Sequence, residues 1–174
     1  VPHNQTLLVV ADRIGATGMR ALGPALHAAG NKVLFFMSFR NPGEVFCRDE
    51  FELYCDEIVW VSLDGEIKPG RAQDKSYTGD VRDALKAYAN GKLGGSFRFE
   101  DLDRLYFMGG GCLVQRLRDL RHGELKERLA KNPPATGSVY SSMQCMLKGV
   151  CSQCPQWQVD PATGKRTKAV FACS

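Results

Sequence analysis

The sequence has little of what marks membrane, secreted or nucleic-acid-binding proteins. None of its apolar runs approaches the roughly 20 residues that a membrane helix needs. The first residues, Val1 to Gln5, lack the basic stretch and apolar core of a signal peptide. The formal net charge of +4 over 174 residues is too weak to indicate a nucleic-acid-binding surface. We therefore expect a cytoplasmic protein that binds neither membranes nor nucleic acids.

Recognisable arrangements of catalytic side chains are also missing. The 3 histidines, His3, His27 and His122, are isolated, and none has the spacing of a metal site or of a Ser-His-Asp triad. The hydrophobic content of 44% and the charged content of 24% are ordinary for a folded chain of one domain with a small appendage. Because the chain has no initiator Met and stops just after Cys173, we expect it to be a piece of a longer polypeptide.

Short apolar runs alternate with amphipathic stretches along most of the chain. Runs such as 33–37 are apolar at every position, which is typical of strands buried on both faces of a parallel sheet. Since β-α-β crossovers are right-handed, the alternation predicts an α/β fold with a doubly wound, parallel, five-stranded sheet. The predicted strands are 6–10, 32–38, 57–63, 104–108 and 135–141, and the predicted helices are 19–29, 41–54, 80–90 and 111–121.

A Pro-Pro pair marks the expected domain boundary. Pro133-Pro134 separates a nucleotide-binding-like domain, residues 1–134, from a cysteine-rich tail, residues 135–174. The polar, glycine-containing segment 64–75 is predicted to be a loop within the first domain.

Two glycine-containing turns follow predicted strands, at the position where doubly wound sheets bind their ligands. The first spans 12–18 and the second spans 109–111. Glycine lets a backbone approach a phosphate closely, and the N-terminus of the following helix offers free N–H donors. The first turn is not G-x-G-x-x-G, since it holds only Gly15 and Gly18, and Asp12 would repel a pyrophosphate. A ligand-binding turn and a turn without a ligand both remain open.

Four of the 7 cysteines are concentrated near the C-terminal end: Cys145, Cys151, Cys154 and Cys173. The first three follow the pattern C-x5-C-x2-C, which is close to the C-x4-C-x2-C…C spacing of plant-type 2Fe-2S proteins. Two strand-like runs flank a Pro/Gly turn after Cys154, and this arrangement predicts a hairpin that returns Cys173 to Cys154. The four thiolates therefore indicate a 2Fe-2S cluster.

Three other interpretations of these cysteines remain open: a structural zinc site, two disulfides, or thiols without a ligand. Zinc ribbons usually pair two C-x2-C knuckles, whereas this chain has one, at 151–154. The odd total of 7 cysteines, with Cys47, Cys55 and Cys112 scattered elsewhere, fits a reducing compartment better than a disulfide scaffold.

The chain resembles the C-terminal two-thirds of ferredoxin-reductase-like electron-transfer subunits, such as those of dihydroorotate dehydrogenase B, sulfhydrogenases and ferredoxin:NADP oxidoreductases. The cysteine motif is the specific part of the similarity, which covers nearly the whole chain. The segment 142–151 is similar to tails of large fusions with glutamate-synthase-like oxidoreductase modules. The resemblance is carried by residues 7–10, 14–15, 25–26, 29–33, 51–57, 79–81, 106–110, 141–154 and 171–173.

The resemblance implies a module in which NAD(P)H delivers hydride to FAD while a 2Fe-2S cluster relays single electrons onward. The family's flavin-binding barrel precedes the matching residues and is absent from this chain, so the implied partners are a flavin-binding domain or subunit and a catalytic oxidoreductase subunit. Carried over by position, the residues near the nicotinamide nucleotide would be Gly15, Thr17, Gly109 and Gly110, and the cluster ligands would be Cys145, Cys151, Cys154 and Cys173.

Two turns depart from the family pattern. Residues 11–13, Ala-Asp-Arg, replace a run of glycines, and Gly109-Gly110 replaces a Gly-Pro pair. Bulky side chains in the first turn argue against nucleotide binding. A domain of this kind could lose nucleotide binding and keep a working cluster. The alternative function is a degenerate nucleotide fold that docks a partner and carries a structural four-cysteine zinc site.

Overall fold

A computed structural model describes residues 1–140, 155–160 and 162–171. The chain divides into two compact units, Val1–Ser141 and Ser142–Ser174. The strands of the first unit are β1 Thr6–Asp12, β2 Lys32–Phe39, β3 Glu57–Ser62, β4 Lys75–Thr78, β5 Arg104–Gly109 and β6 Ala135–Val139. Its helices are α1 Ala16–Ala28, α2 Arg48–Tyr54, α3 Val81–Ala89 and α4 Gly111–His122. The second unit contains β7 Pro155–Val159 and β8 Arg166–Phe171.

The first unit is built on one parallel sheet with the strand order β4-β3-β2-β1-β5-β6. β1 lies in the middle, with Val9 pairing with Phe35 on one side and with Tyr106 on the other. The strand order therefore reverses between β1 and β5, which makes their carboxyl ends a topological switch point. The predicted α/β fold with a parallel sheet is confirmed.

Both faces of the sheet are buried, because helices cover each of them. Leu8 and Val10 point towards α3 and α4, whereas Leu7 and Val9 point towards α1 and α2. All four side chains are at most 1% exposed. The continuous apolar runs of the central strands thus serve two packing layers at once. Within the described ranges, no helix is long and apolar enough to cross a membrane.

The prediction of five strands is wrong by one, because the sequence indicates no strand between the predicted loop 64–75 and the helix that begins at 80, where β4 lies. This strand, Lys-Ser-Tyr-Thr, pairs with β3 at the edge of the sheet and is only partly buried. An edge strand of four polar or half-exposed residues has no apolar run to reveal it. At the opposite edge, β6 pairs with β5 and belongs to the first compact unit.

The predicted helix over 41–54 is wrong in its first half. Pro42–Glu44 forms a single 3₁₀ turn, capped by Asn41, whose Oδ1 accepts a hydrogen bond from the Gly43 amide at 3.0 Å. The chain then leaves the helical path, and Cys47 adopts a left-handed conformation at φ 47° before α2 begins. Phe46 packs edge-on against the rings of Phe39 and Phe51. Burying this ring outweighs the local preference for a longer helix.

The second unit contains the predicted hairpin. β7 and β8 are antiparallel, and Pro155 pairs with Phe171. The turn is held by Asp160, whose carboxylate accepts hydrogen bonds from the Ala162 amide at 2.9 Å and from the Thr163 hydroxyl at 2.8 Å. The Ala162 amide and the Thr163 hydroxyl hold the pKa of Asp160 below its ordinary value.

Candidate functional site

The candidate site is the switch point, where β1 ends at Asp12 and β5 ends at Gly109. The Asp12 carboxylate bridges the two turns that follow these strands. Its Oδ1 accepts a hydrogen bond from the Gly15 amide at 2.8 Å, and its Oδ2 accepts one from the Gly110 amide at 2.8 Å. Gly15 is the N-cap of α1 and Gly110 is the N-cap of α4. One side chain therefore connects the beginnings of two helices.

The electrostatics of this point favour an anion. Each helix has unpaired N–H groups and a partial positive charge at its N-terminus, so two helices that begin side by side attract negative charge. In open α/β sheets a ligand's phosphate commonly takes this place. In this chain the negative group is the carboxylate of Asp12, which is half-buried.

The glycines of the site are explained by contacts within the chain. A Cβ atom at Gly15 would lie 2.0 Å from the carbonyl oxygen of Met108, so the first turn rests directly on the backbone of β5. A Cβ atom at Gly109 would lie 2.5 Å from Oδ2 of Asp12. At Gly18, which lies in α1, a Cβ atom would lie 2.1 Å from the hydroxyl oxygen of Tyr140. No side chain fits at these three positions without movement of a neighbour.

Three of the four predicted nucleotide-binding residues lie together. Gly15, Gly109 and Gly110 surround the Asp12 carboxylate, while the exposed Thr17 hydroxyl donates to the carbonyl of Ile14 at 2.6 Å. From the sequence alone Asp12 is expected only to repel phosphate, whereas in the structure it is the acceptor that joins both turns. The available signal was an Asp three residues before a turn glycine, since Asp side chains often accept hydrogen bonds from backbone groups a few residues ahead.

An open cleft of about 620 Å³ adjoins the switch point on the β1–β3 side. Arg13 and Arg40 line it and are exposed, and Glu44 lies beside them. The Glu44 carboxylate accepts a hydrogen bond from the backbone amide of Arg40 at 3.0 Å. Leu63 adds an exposed apolar wall. The cleft combines two guanidinium groups with two carboxylates, those of Asp12 and Glu44, and could accept a polar ligand.

The predicted cluster ligands, Cys145, Cys151, Cys154 and Cys173, all lie outside the described residues, so their convergence stays a prediction. The other three cysteines are described and lie apart from one another: Cys55 is buried, Cys47 is half-buried and Cys112 is exposed. Burial raises the pKa of Cys55, which makes it an inert core thiol. Within residues 1–140, 155–160 and 162–171, no group of three or more His, Cys, Asp or Glu could hold a metal ion.

No family model and no curated protein matches the sequence. Among solved structures, the chain is similar to one from the structure of the NADH-dependent reduced ferredoxin-NADP oxidoreductase, described for flavin-based electron bifurcation. The TM-score is 0.61 at 22% identity, and the match covers 98% of this chain but 51% of the other, so this chain spans about half its length. At this identity the likeness concerns the fold alone. The α/β unit of this protein therefore has a ferredoxin-reductase-like fold.

Proposed function

We propose that the chain is an electron-transfer module of a flavin/NAD(P)H oxidoreductase and relays single electrons to a partner through a 2Fe-2S cluster. The ferredoxin-reductase-like fold supports the general role, since the similar solved chain comes from an NADH-dependent oxidoreductase of flavin-based electron bifurcation. The electron donor would be a flavin-binding domain or subunit, and the acceptor would be a catalytic oxidoreductase subunit.

The register of the β7–β8 hairpin is the observation that carries the cluster proposal. Pro155, which follows Cys154 in the sequence, pairs with Phe171, which precedes Cys173 by two residues. β7 therefore starts at the same end of the hairpin at which β8 finishes. We expect the thiolates of Cys154 and Cys173 to meet at that end. Cys145 and Cys151 would complete the set of four.

The chemistry of this donor set fits iron and sulfide. Four thiolates are the usual ligands of a 2Fe-2S cluster, which accepts and donates one electron at a time. Hydrogen bonds to the sulfur atoms and the exposure of the cluster would set its reduction potential. This relay requires no catalytic acid or base, which agrees with the isolated positions of the histidines along the sequence.

A nicotinamide dinucleotide fits the described residues poorly. It would lie at the switch point, near the predicted contacts Gly15, Thr17, Gly109 and Gly110, where its pyrophosphate would meet the Asp12 carboxylate. The amides of Gly15 and Gly110, which would serve the phosphates, are already bonded to that carboxylate. We therefore assign no step to NAD(P)H bound by this chain, and the proposed relay runs from a partner's flavin through the cluster.

Metal analysis of the full chain, purified without oxygen, tests the relay. We expect iron and acid-labile sulfide in equal amounts and a visible absorption that decreases on reduction with dithionite. Replacing Cys151 or Cys154 with Ser should remove most of the iron, whereas the control Cys112→Ser, on the exposed start of α4, should retain it. Zinc alone in the wild-type protein would contradict the relay and favour the alternative of an interaction domain with a structural zinc site.

A further inference from the structure

We propose that Asp12 is a built-in occupant of the pyrophosphate position of this fold, so that the domain is closed to NADH and NADPH. The closure rests on the geometry of the switch point. Its consequence, that electrons enter from a partner's flavin and not from a nucleotide bound here, rests on the proposed function.

The hydrogen bonds of Asp12 occupy two of the amide donors that a diphosphate at the switch point would use. Each carboxylate oxygen takes one amide at 2.8 Å, from Gly15 at the start of α1 and from Gly110 at the start of α4. These two helices have 13 and 12 residues, and both amides belong to N-cap positions. A pyrophosphate at this point would find both amides already bonded to Asp12 and would lie at contact distance from its carboxylate. Like charges so close together repel each other.

The space that glycine leaves free is filled by the chain itself. In dinucleotide-binding turns, a glycine without a side chain lets the phosphates approach the backbone. Here the room at Gly15 is taken by the carbonyl oxygen of Met108, at 2.0 Å from the position of a Cβ atom. The room at Gly109 is taken by Oδ2 of Asp12, at 2.5 Å. Internal packing therefore accounts for these glycines without any ligand.

The closure is part of the sheet, not a movable lid. Asp12 is the last residue of β1 and pairs in register with Ser38 of β2, while the preceding Ala11 pairs with Met108 of β5. The backbone of Asp12 is thus held by a central strand, and its side chain is held by two amides from different turns. Opening the position would require breaking both hydrogen bonds at once.

Calorimetric titration of the full chain with NADH, NADPH and inorganic pyrophosphate tests whether Asp12 closes the switch point to these ligands. We expect no saturable binding by the wild type. The variant Asp12→Gly frees both amides and removes the charge, so it should bind at least one of the three probes at least about tenfold more tightly than the wild type. The control Glu66→Gly removes an exposed carboxylate that lies outside the cleft and the switch point, and it should leave the wild-type result unchanged.

Saturable binding of NADH or NADPH by the wild type would overturn the proposal. A folded Asp12→Gly variant that binds none of the probes would also overturn it. If circular dichroism shows that this variant is unfolded, Asp12→Asn takes its place under the same criteria, because it removes the charge and keeps the size of the side chain. Iron and sulfide contents of the same preparations report separately on the proposed relay, so the two proposals can fail independently.

Discussion

At the scale of single residues, the glycines of the switch point differ in what an added methyl group would meet. At Gly15 it would meet the backbone carbonyl of Met108 at 2.0 Å, and a strand backbone inside the sheet cannot move away cheaply. At Gly110 its nearest neighbour would be Oδ2 of Asp12 at 3.7 Å, which is an ordinary contact, and φ there is −62°. Two glycines at the same site therefore have opposite tolerance for alanine.

We predict that Gly15→Ala destabilises the protein by about 2–3 kcal/mol, the upper part of the range for overpacked sites. The matched control Gly110→Ala should change the free energy of unfolding by about 0.5 kcal/mol or less. Urea unfolding of both variants and the wild type measures the difference. Equal losses in the two variants would show that the contact between the first turn and β5 is not what requires glycine at position 15.

The sequence predicted two glycine turns at the ends of strands, whose contact with a nucleotide stays a prediction, but not what fills the space beside these glycines. The reason is distance along the chain: the Gly110 amide and the Asp12 carboxylate are 98 positions apart. Local patterns predict turns and helix starts, whereas the partner of a turn depends on which strands become neighbours. The close contact of Gly15 with Met108 was unpredictable for the same reason.

At the scale of elements, α3 is attached to the amino end of β3 by a buried carboxylate. The Tyr88 hydroxyl donates to Oε1 of Glu57 at 2.8 Å, and the Ser96 amide donates to Oε2 at 2.9 Å. Glu57 is 1% exposed. Burial raises the pKa of Tyr88 well above its ordinary value, and the hydrogen bond and charge of Glu57 raise it further. The phenol therefore stays protonated in the folded protein at pH values where an unfolded tyrosine ionises.

The raised pKa predicts a loss of stability in alkali. Below the unfolded pKa of about 10 the contribution of this phenol is fully present, and it is lost as the pH rises above that value towards the folded pKa. We expect Tyr88→Phe to lower the free energy of unfolding by about 1–3 kcal/mol at neutral pH, because the buried Glu57 carboxylate loses a donor. The variant should also lose less stability than the wild type between about pH 9 and 11.

Urea unfolding across this pH range measures both effects. Tyr54→Phe, on α2, removes a hydroxyl from the α1–α2 side of the sheet, opposite the side on which Tyr88 packs, and should keep the wild-type pH dependence. If Tyr88→Phe shows the same alkaline loss as the wild type, another group is responsible for it.

The elements that the sequence predicted well are those with strong periodicity or clear caps. The predicted helix 80–90 matches α3, and Asp80 caps it, since its Oδ1 accepts a hydrogen bond from the Arg82 amide at 2.8 Å. The predicted helix 41–54, in contrast, begins with only a 3₁₀ turn over Pro42–Glu44, because the packing of Phe46 overrides the local preference for helix. Long-range packing decides such cases, and a single sequence does not display it.

At the scale of the whole molecule, the two compact units differ in how much core they possess. The first has six paired strands with helices on both faces and two buried clusters of apolar side chains. The described part of the second is a two-stranded hairpin, and such hairpins are marginally stable in water. Trp157 and Val159 of β7 are 58% and 55% exposed. In the proposed function, a bound cluster would add stability to the second unit.

We predict that removing the cluster loosens the hairpin and leaves the first unit unchanged. Backbone amides within β7 and β8 should exchange with deuterium about tenfold faster or more after iron is removed with a chelator, because a lone hairpin has little stability to protect them. Amides of β1 and β2 serve as the internal control and should keep their protection, since those strands are buried on both faces. The measurement is hydrogen exchange followed by mass spectrometry of the full chain before and after chelation. Unchanged protection of the hairpin would mean that its order does not depend on metal, and faster exchange in β1 would mean that the two units do not unfold separately.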